Sequence, residues 1–202
     1  FETLPKLNQQ SEGYINYFFN SGGVLDIWFQ LGFDGLRLDV ADELDNSTLN
    51  RIFESSKRNC DKIIIIGEVW DNASNKCNYG HRMEYFLGNE LTSVMNYPVK
   101  DAILAYVRYG DLWSSNLWRT LISVYIEDYP HEIAYSLMNL LSTHDSVRMI
   151  TKLAGKEVDD HDKNWQFEND TLSPQEYRLG RARAMISYLI LYFLPGVPSI
   201  FY

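Results

Sequence analysis

Residues 62 to 68 read Lys-Ile-Ile-Ile-Ile-Gly-Glu, and this short stretch decides the fold class. Ile63 to Ile66 are β-branched and apolar at every position, not at every second one. A strand with one wet face alternates polar and apolar side chains. An unbroken run therefore predicts a strand covered on both faces, as in a parallel sheet flanked by helices. Working outward, Gly35 to Val40 reads as a strand, and Thr48 to Arg58 as the helix linking it to the isoleucine run. Leu91 to Met95 is a third strand, stopped by Asn96 and Pro98. Leu137 to Leu141 supplies a fourth, and Ser199 to Tyr202 a fifth. Helical patterns cover Val99 to Val107, Ser115 to Ile126 and Pro174 to Phe193. The last of these opens on Ser173 as cap with Pro174 in the first turn, and Pro195–Gly196 ends it.

Alternation of strands and helices predicts an α/β fold with a parallel sheet. Five strands fit part of a (β/α)8 TIM barrel, since a complete one takes about 250 residues. An open doubly wound sheet for nucleotides is disfavoured: no GxGxxG follows the first strand, and no GxxxxGK[ST] occurs. The sequence shows no repeat, low-complexity tract or linker, so residues 1–202 read as one structural unit. Hydrophobic residues at 46 % and charged ones at 22 % are enough for a folded core and argue against disorder. The net charge of −9, with no basic run, argues against nucleic acid or an anionic membrane surface as partner. No stretch reaches the roughly 18 apolar residues of a membrane span. The nearest, Ala182 to Ile200, is interrupted by Arg183, Ser187, Pro195 and Pro198. Cys60 and Cys77 have no metal-ligand spacing and read as free thiols in a reducing compartment, which predicts a cytoplasmic location. The chain opens on Phe1 without a signal peptide, so it reads as a piece of a longer polypeptide.

Three apolar strands end in an acid. Leu36–Arg37–Leu38 runs into Asp39, Ile63 to Gly67 into Glu68, and Met138 to Leu141 through Ser142–Thr143–His144 into Asp145. The carboxyl ends of parallel strands converge on one face, which is where chemistry sits in such folds. Any single acid at a strand end reads as a solvated loop residue or a cap; three together weigh towards a common pocket. Paired carboxylates suit glycosidic cleavage, which needs one ionised group at the anomeric carbon and one protonated group for the leaving oxygen. Arg37 lies two residues before Asp39 and so points to the same side of the strand, where its charge keeps Asp39 ionised. Glu68 follows an apolar strand and precedes Val69–Trp70; an apolar wall there suits a general acid. Residue type alone leaves metal-assisted hydrolysis open, although the four histidines include no HxH or HExxH.

GFDGLRLDV (residues 32–40), IIIIGEVW (63–70) and LLSTHDSVR (140–148) resemble three of the four signature segments of the alpha-amylase superfamily, glycoside hydrolase family 13. They stand in that family's order. LPKLN near the start, VMNYP at Val94 to Pro98 and PGVPSIFY at the end are similar to it too, so the resemblance runs the length of the chain. It implies a retaining mechanism on α-glucosidic bonds, with Asp39 as nucleophile and Glu68 as general acid and then base. Asp145 would grip the ring hydroxyls of the distorted sugar, aided by His144; Arg37 would orient Asp39, and Trp70 would stack on a sugar or only pack. No metal is required, although some members of the family hold structural calcium; no ligand cluster here calls for it.

The family's first signature is absent, which implies a barrel from about its fourth to its eighth strand, the first three missing. Thr143 stands where many members have Asn. Val40–Ala41–Asp42–Glu43 replaces the Lys-His pair of typical endo-acting amylases. Together with GEVWDNAS and MNYP, this leans towards the neopullulanase, cyclomaltodextrinase and maltogenic amylase group. The implied substrates are maltooligosaccharides, cyclodextrins and related α-glucans, through α-1,4 and in some cases α-1,6 bonds. Two alternatives stay open: a glucanosyltransferase or sucrose- or trehalose-acting relative, and a non-catalytic carbohydrate-binding barrel. The second is disfavoured by the presence of all three acids. An incomplete sheet leaves unpaired edges and apolar faces, so the 202 residues alone are expected to be inactive and to self-associate.

Overall fold

The computed structural model describes residues 5–78, 80–155, 163–169 and 171–201. The chain divides into two units: residues 1–69 with 73–94, and residues 70–72 with 95–202.

In the first unit, helix α1 (Glu12–Phe19) starts where Ser11 caps it, its hydroxyl accepting from Tyr14 N–H, and helix α2 (Val24–Gln30) follows. Strand β1 (Gly35–Leu38) leads through a short 3-10 turn at Ala41–Glu43 into helix α3 (Asn46–Lys57). The Asp45 carboxylate caps α3 by accepting from Thr48 N–H at 2.7 Å. Strand β2 (Ile64–Gly67) then lies parallel to β1, with Gly35 opposite Ile64 and Leu38 opposite Gly67. A small antiparallel hairpin of β3 (Cys77–Asn78) and β4 (His81–Arg82) precedes β5 (Ser93–Val94), which pairs in parallel with β2. The sheet order is β1-β2-β5, and Leu49 and Ile52 of α3 are buried along with Ile65 of β2.

The isoleucine run is buried on one face, not two: Ile63 and Ile65 are buried, whereas Ile64 is 53 % exposed. Successive side chains of a strand point to opposite faces. The face carrying Ile64 is left uncovered by the described residues.

In the second unit, Pro98 stands in the first turn of helix α4 (Tyr97–Tyr109). A 3-10 turn at Gly110–Trp113 joins it to helix α5 (Ser114–Ile122), which widens into a π turn at Ser123–Asp128. After helix α6 (His131–Ala134) come strand β6 (Met138–Asn139), helix α7 (Met149–Leu153), helix α8 (Lys163–Glu168), helix α9 (Pro174–Phe193) and strand β7 (Val197–Pro198). Strands β6 and β7 pair in parallel, and Met95 makes a parallel bridge to Met138. Ser173 and Glu176 form a reciprocal capping box at the start of α9, where the sequence placed the cap.

The last strand lies two residues earlier than expected, and Tyr202 falls outside the described residues. Gly196, at φ 109°, turns the chain so that Val197 N–H reaches Leu137 O at 2.8 Å. Ser199 N–H then reaches Asn139 O at 2.7 Å. Pro198 falls between these two donors, where a strand residue needs no N–H for this partner. Among the described residues, no helix is long and apolar enough to cross a membrane.

Candidate active site

The register of β1 on β2 sets Leu38 opposite Gly67, so the residues that follow, Asp39 and Glu68, leave adjacent parallel strands at the same edge. Arg37 joins them. One terminal nitrogen of its guanidinium lies 2.5 Å from Asp39 Oδ1, and the other lies 3.0 Å from Glu68 Oε1. The two acids differ sharply in exposure: the Asp39 side chain is 74 % exposed and that of Glu68 only 4 %. Glu68 is also tied down by backbone. Its N–H donates to Leu38 O at 2.9 Å, its carbonyl accepts from Ala41 N–H at 3.1 Å, and its Oε2 accepts from Val40 N–H at 2.9 Å. The apolar wall expected around Glu68 is therefore not what surrounds it: its carboxyl is buried, but among polar donors. Gly67 makes this approach possible. A Cβ there would lie 2.6 Å from Leu91 Cδ1 and 3.3 Å from Ala41 Cβ.

Sequence reasoning missed the part played by Val40 and Asp42. Val40 takes a left-handed backbone, which no local propensity favours for a β-branched residue. The Asp42 carboxylate is held by Lys76 and by the Tyr85 hydroxyl. Burial, followed by the Asp42 hydrogen bond, pushes the Tyr85 phenol up. These contacts join residues more than 30 positions apart, and no short motif signals them.

In the second unit, His144 Nε2 lies 3.0 Å from Asp145 Oδ2, and both side chains are substantially exposed. The turn that carries them is closed by Thr143 N–H on Ser146 Oγ and by Asp145 N–H on Thr143 Oγ1. A cavity of about 280 Å³ is lined in part by His144, Arg148, Trp165 and Phe201. Trp70 belongs to this unit, stacked on Tyr97 with centroids 4.3 Å apart and remaining 40 % exposed. In the same unit, Asn96 Nδ2 and the Tyr125 hydroxyl both donate to Asn139 Oδ1 at 2.9 Å. Burial pushes Tyr125 up to about 12. The structure thus brings Arg37, Asp39 and Glu68 together in one unit, and pairs His144 with Asp145 in the other. Among the described residues, no three His, Cys, Asp or Glu side chains cluster to hold a metal.

Chemically, the first cluster presents one open carboxylate and one buried carboxyl on a shared cation, the elements of a nucleophile and an acid–base pair.

The chain is similar to several known proteins. Neopullulanase 2 of Thermoactinomyces vulgaris is 29 % identical over 155 residues, covering 77 % of this chain and 24 % of that protein. A cyclomaltodextrinase of Geobacillus thermopakistaniensis is 30 % identical over 153 residues, covering 75 % of this chain and 24 % of that protein. Among solved structures, the type III pullulan hydrolase from Thermococcus kodakarensis superposes with a TM-score of 0.73 at 26 % identity, over 98 % of this chain and 30 % of that one. The chain thus spans about a quarter of the length of the curated relatives it matches. Residues 1–170 match the family described as alpha amylase, catalytic domain. The chain belongs to the alpha-amylase catalytic-domain family, whose fold is the TIM barrel.

Proposed function

We propose that this chain carries the catalytic carboxylates of a retaining glycoside hydrolase acting on α-glucans. Its substrates are maltooligosaccharides, cyclodextrins or related glucans, cleaved at α-1,4 bonds and, in some of these glucans, at α-1,6 bonds. The observation that carries this reading is the Arg37 fork, which holds an open Asp39 and a buried Glu68 at one edge of adjacent parallel strands. Asp39 attacks the anomeric carbon while Glu68 gives its proton to the departing glycosidic oxygen. Glu68 then takes a proton from water, which displaces Asp39 and restores the original configuration. Asp145, oriented by His144, grips the ring hydroxyls of the distorted sugar. Trp70 offers a sugar the ring surface that Tyr97 leaves open. None of these steps requires a metal.

On this reading the chain contributes about the fourth to the eighth strand of the barrel, and further strands cover the face on which Ile64 is exposed. The 202 residues by themselves are then inactive and self-associate. The names of the relatives, neopullulanase, cyclomaltodextrinase and pullulan hydrolase, support the substrate class. The free thiols Cys60 and Cys77 suit a cytoplasmic enzyme.

The stereochemical outcome tests the reading. NMR of the first product released from maltotriose by the protein with its complete catalytic domain is expected to show the α-anomer. A β-anomer would remove Asp39 from the nucleophile role.

A further inference from the structure

Among the described residues, Val40 is the one residue other than glycine with a positive φ, at φ 44° and ψ 53°. A β-branched side chain resists this left-handed region because its Cβ and substituents crowd the backbone carbonyl. Such a conformation persists only where its surroundings over-determine it. Here they do so from two sides. On one side, Val40 N–H donates to Glu68 Oε2 at 2.9 Å and Ala41 N–H to Glu68 O at 3.1 Å. On the other, Glu43 N–H closes a turn on Val40 O at 2.9 Å, and the Asp42 carboxylate is held by Lys76 and Tyr85. The left-handed residue thereby points the N–H that follows Asp39 back at the acid of the neighbouring strand.

We propose that Val40 is a positioning residue of the hydrolytic site: its left-handed backbone aims an N–H at Glu68 Oε2 and stabilises the carboxylate that forms as Glu68 gives up its proton. This rests on the reading of Glu68 as the general acid. Arg37 serves the other oxygen at 3.0 Å, so each carboxyl oxygen has a fixed donor. In the first step the proton passes from Glu68 to the glycosidic oxygen. The C–O bond breaks with its electron pair left on that oxygen, and an Asp39 oxygen bonds to the anomeric carbon. Glu68 goes from neutral to anionic in this step. A pre-aimed donor therefore gains strength as the charge develops and lowers the barrier. A leaving group that departs without a proton derives no such help.

The test replaces the peptide N–H of Val40 by an ester oxygen, using the hydroxy-acid counterpart of valine, in the protein with its complete catalytic domain. Only the N–H is lost, and the side chain stays. kcat/KM is measured on maltotriose, whose departing hydroxyl needs a proton, and on α-maltosyl fluoride, whose departing fluoride needs little. The ratio of the two is expected to fall about tenfold or more. It is independent of how much of the sample is folded, so a partly unfolded variant still gives an answer. Glu68→Gln is run alongside. If Glu68→Gln depresses the ratio and the ester leaves it at the parent value, the role of Val40 is refuted while the general acid stands. If Glu68→Gln also leaves the ratio unchanged, the general-acid reading fails and this proposal with it. Val40→Gly keeps the N–H and takes the left-handed region without strain, so it is expected to retain the parent's ratio. A fall equal to that of the ester would trace the effect to the side chain and overturn the proposal.

Discussion

Arg37 reaches Asp39 and Glu68 through different terminal nitrogens, at 2.5 and 3.0 Å. A lysine ammonium is a single point charge on a flexible stem and cannot span both carboxylates in that planar geometry. Arg37→Lys is therefore expected to lower kcat/KM on maltotriose by about 10- to 100-fold, the cost of roughly 1.5–3 kcal/mol for one charged hydrogen bond. Circular dichroism should show the fold retained; full activity in a folded variant would contradict the shared fork. At this scale the sequence was informative where chemistry follows strand periodicity. Arg37 two residues before Asp39, and acids directly after two strands, were legible from spacing alone. The grip of Arg37 on Glu68 was not, because it depends on the register between two strands. Nor was the Val40 N–H, because it depends on a backbone conformation opposed to the residue's own preference.

Between β4 and β5, Glu90 is buried, and its Oε2 has no hydrogen-bond partner among the described residues. Burial, followed by the charge of Glu84, pushes its carboxyl up from 4.5 to about 7. A carboxyl raised in this way holds its proton more tightly in the folded state than in the unfolded one. Its effect is to lower stability as pH rises from about 4.5 to about 7. Glu90→Gln should remove that loss. Urea unfolding is expected to show the variant gaining on the parent by on the order of 2–3 kcal/mol between pH 5 and pH 8. An equal difference at both pH values would show that Glu90 does not titrate in this window. Elements with strong local signals were legible here too. Helix α9 runs from Pro174 to Phe193, as its cap and its terminal Pro–Gly predict. The expected helix through Ile126 instead ends at Ile122 and widens into a π turn. The β3–β4 hairpin has no signal in the sequence, because Cys77–Asn78 and His81–Arg82 carry no apolar alternation.

Large apolar side chains stand exposed along α9, among them Met185 at 64 %, Leu189 at 60 % and Phe193 at 83 %. Ile64 on β2 is exposed as well, and surfaces of this kind normally find a partner. The 202-residue chain alone is therefore expected to scatter light as a dimer or larger and to show no turnover of maltotriose. A monomer with full activity would show that nothing else is needed to complete the site. The class of fold was legible from the isoleucine run and from strand–helix alternation. What the run could not reveal is that one of its faces stays open, because apolar residues on both sides report what a strand requires and not which segment supplies it. The proposed reaction turns on Asp39 as the nucleophile, an assignment open to direct measurement. It is tested most directly by trapping the glycosyl-enzyme with a 5-fluoro-α-glucosyl fluoride, in the protein with its complete catalytic domain, and mapping the labelled peptide by mass spectrometry. A single sugar ester on Asp39 is expected; a label on any other carboxylate of an active enzyme would remove Asp39 from the nucleophile role.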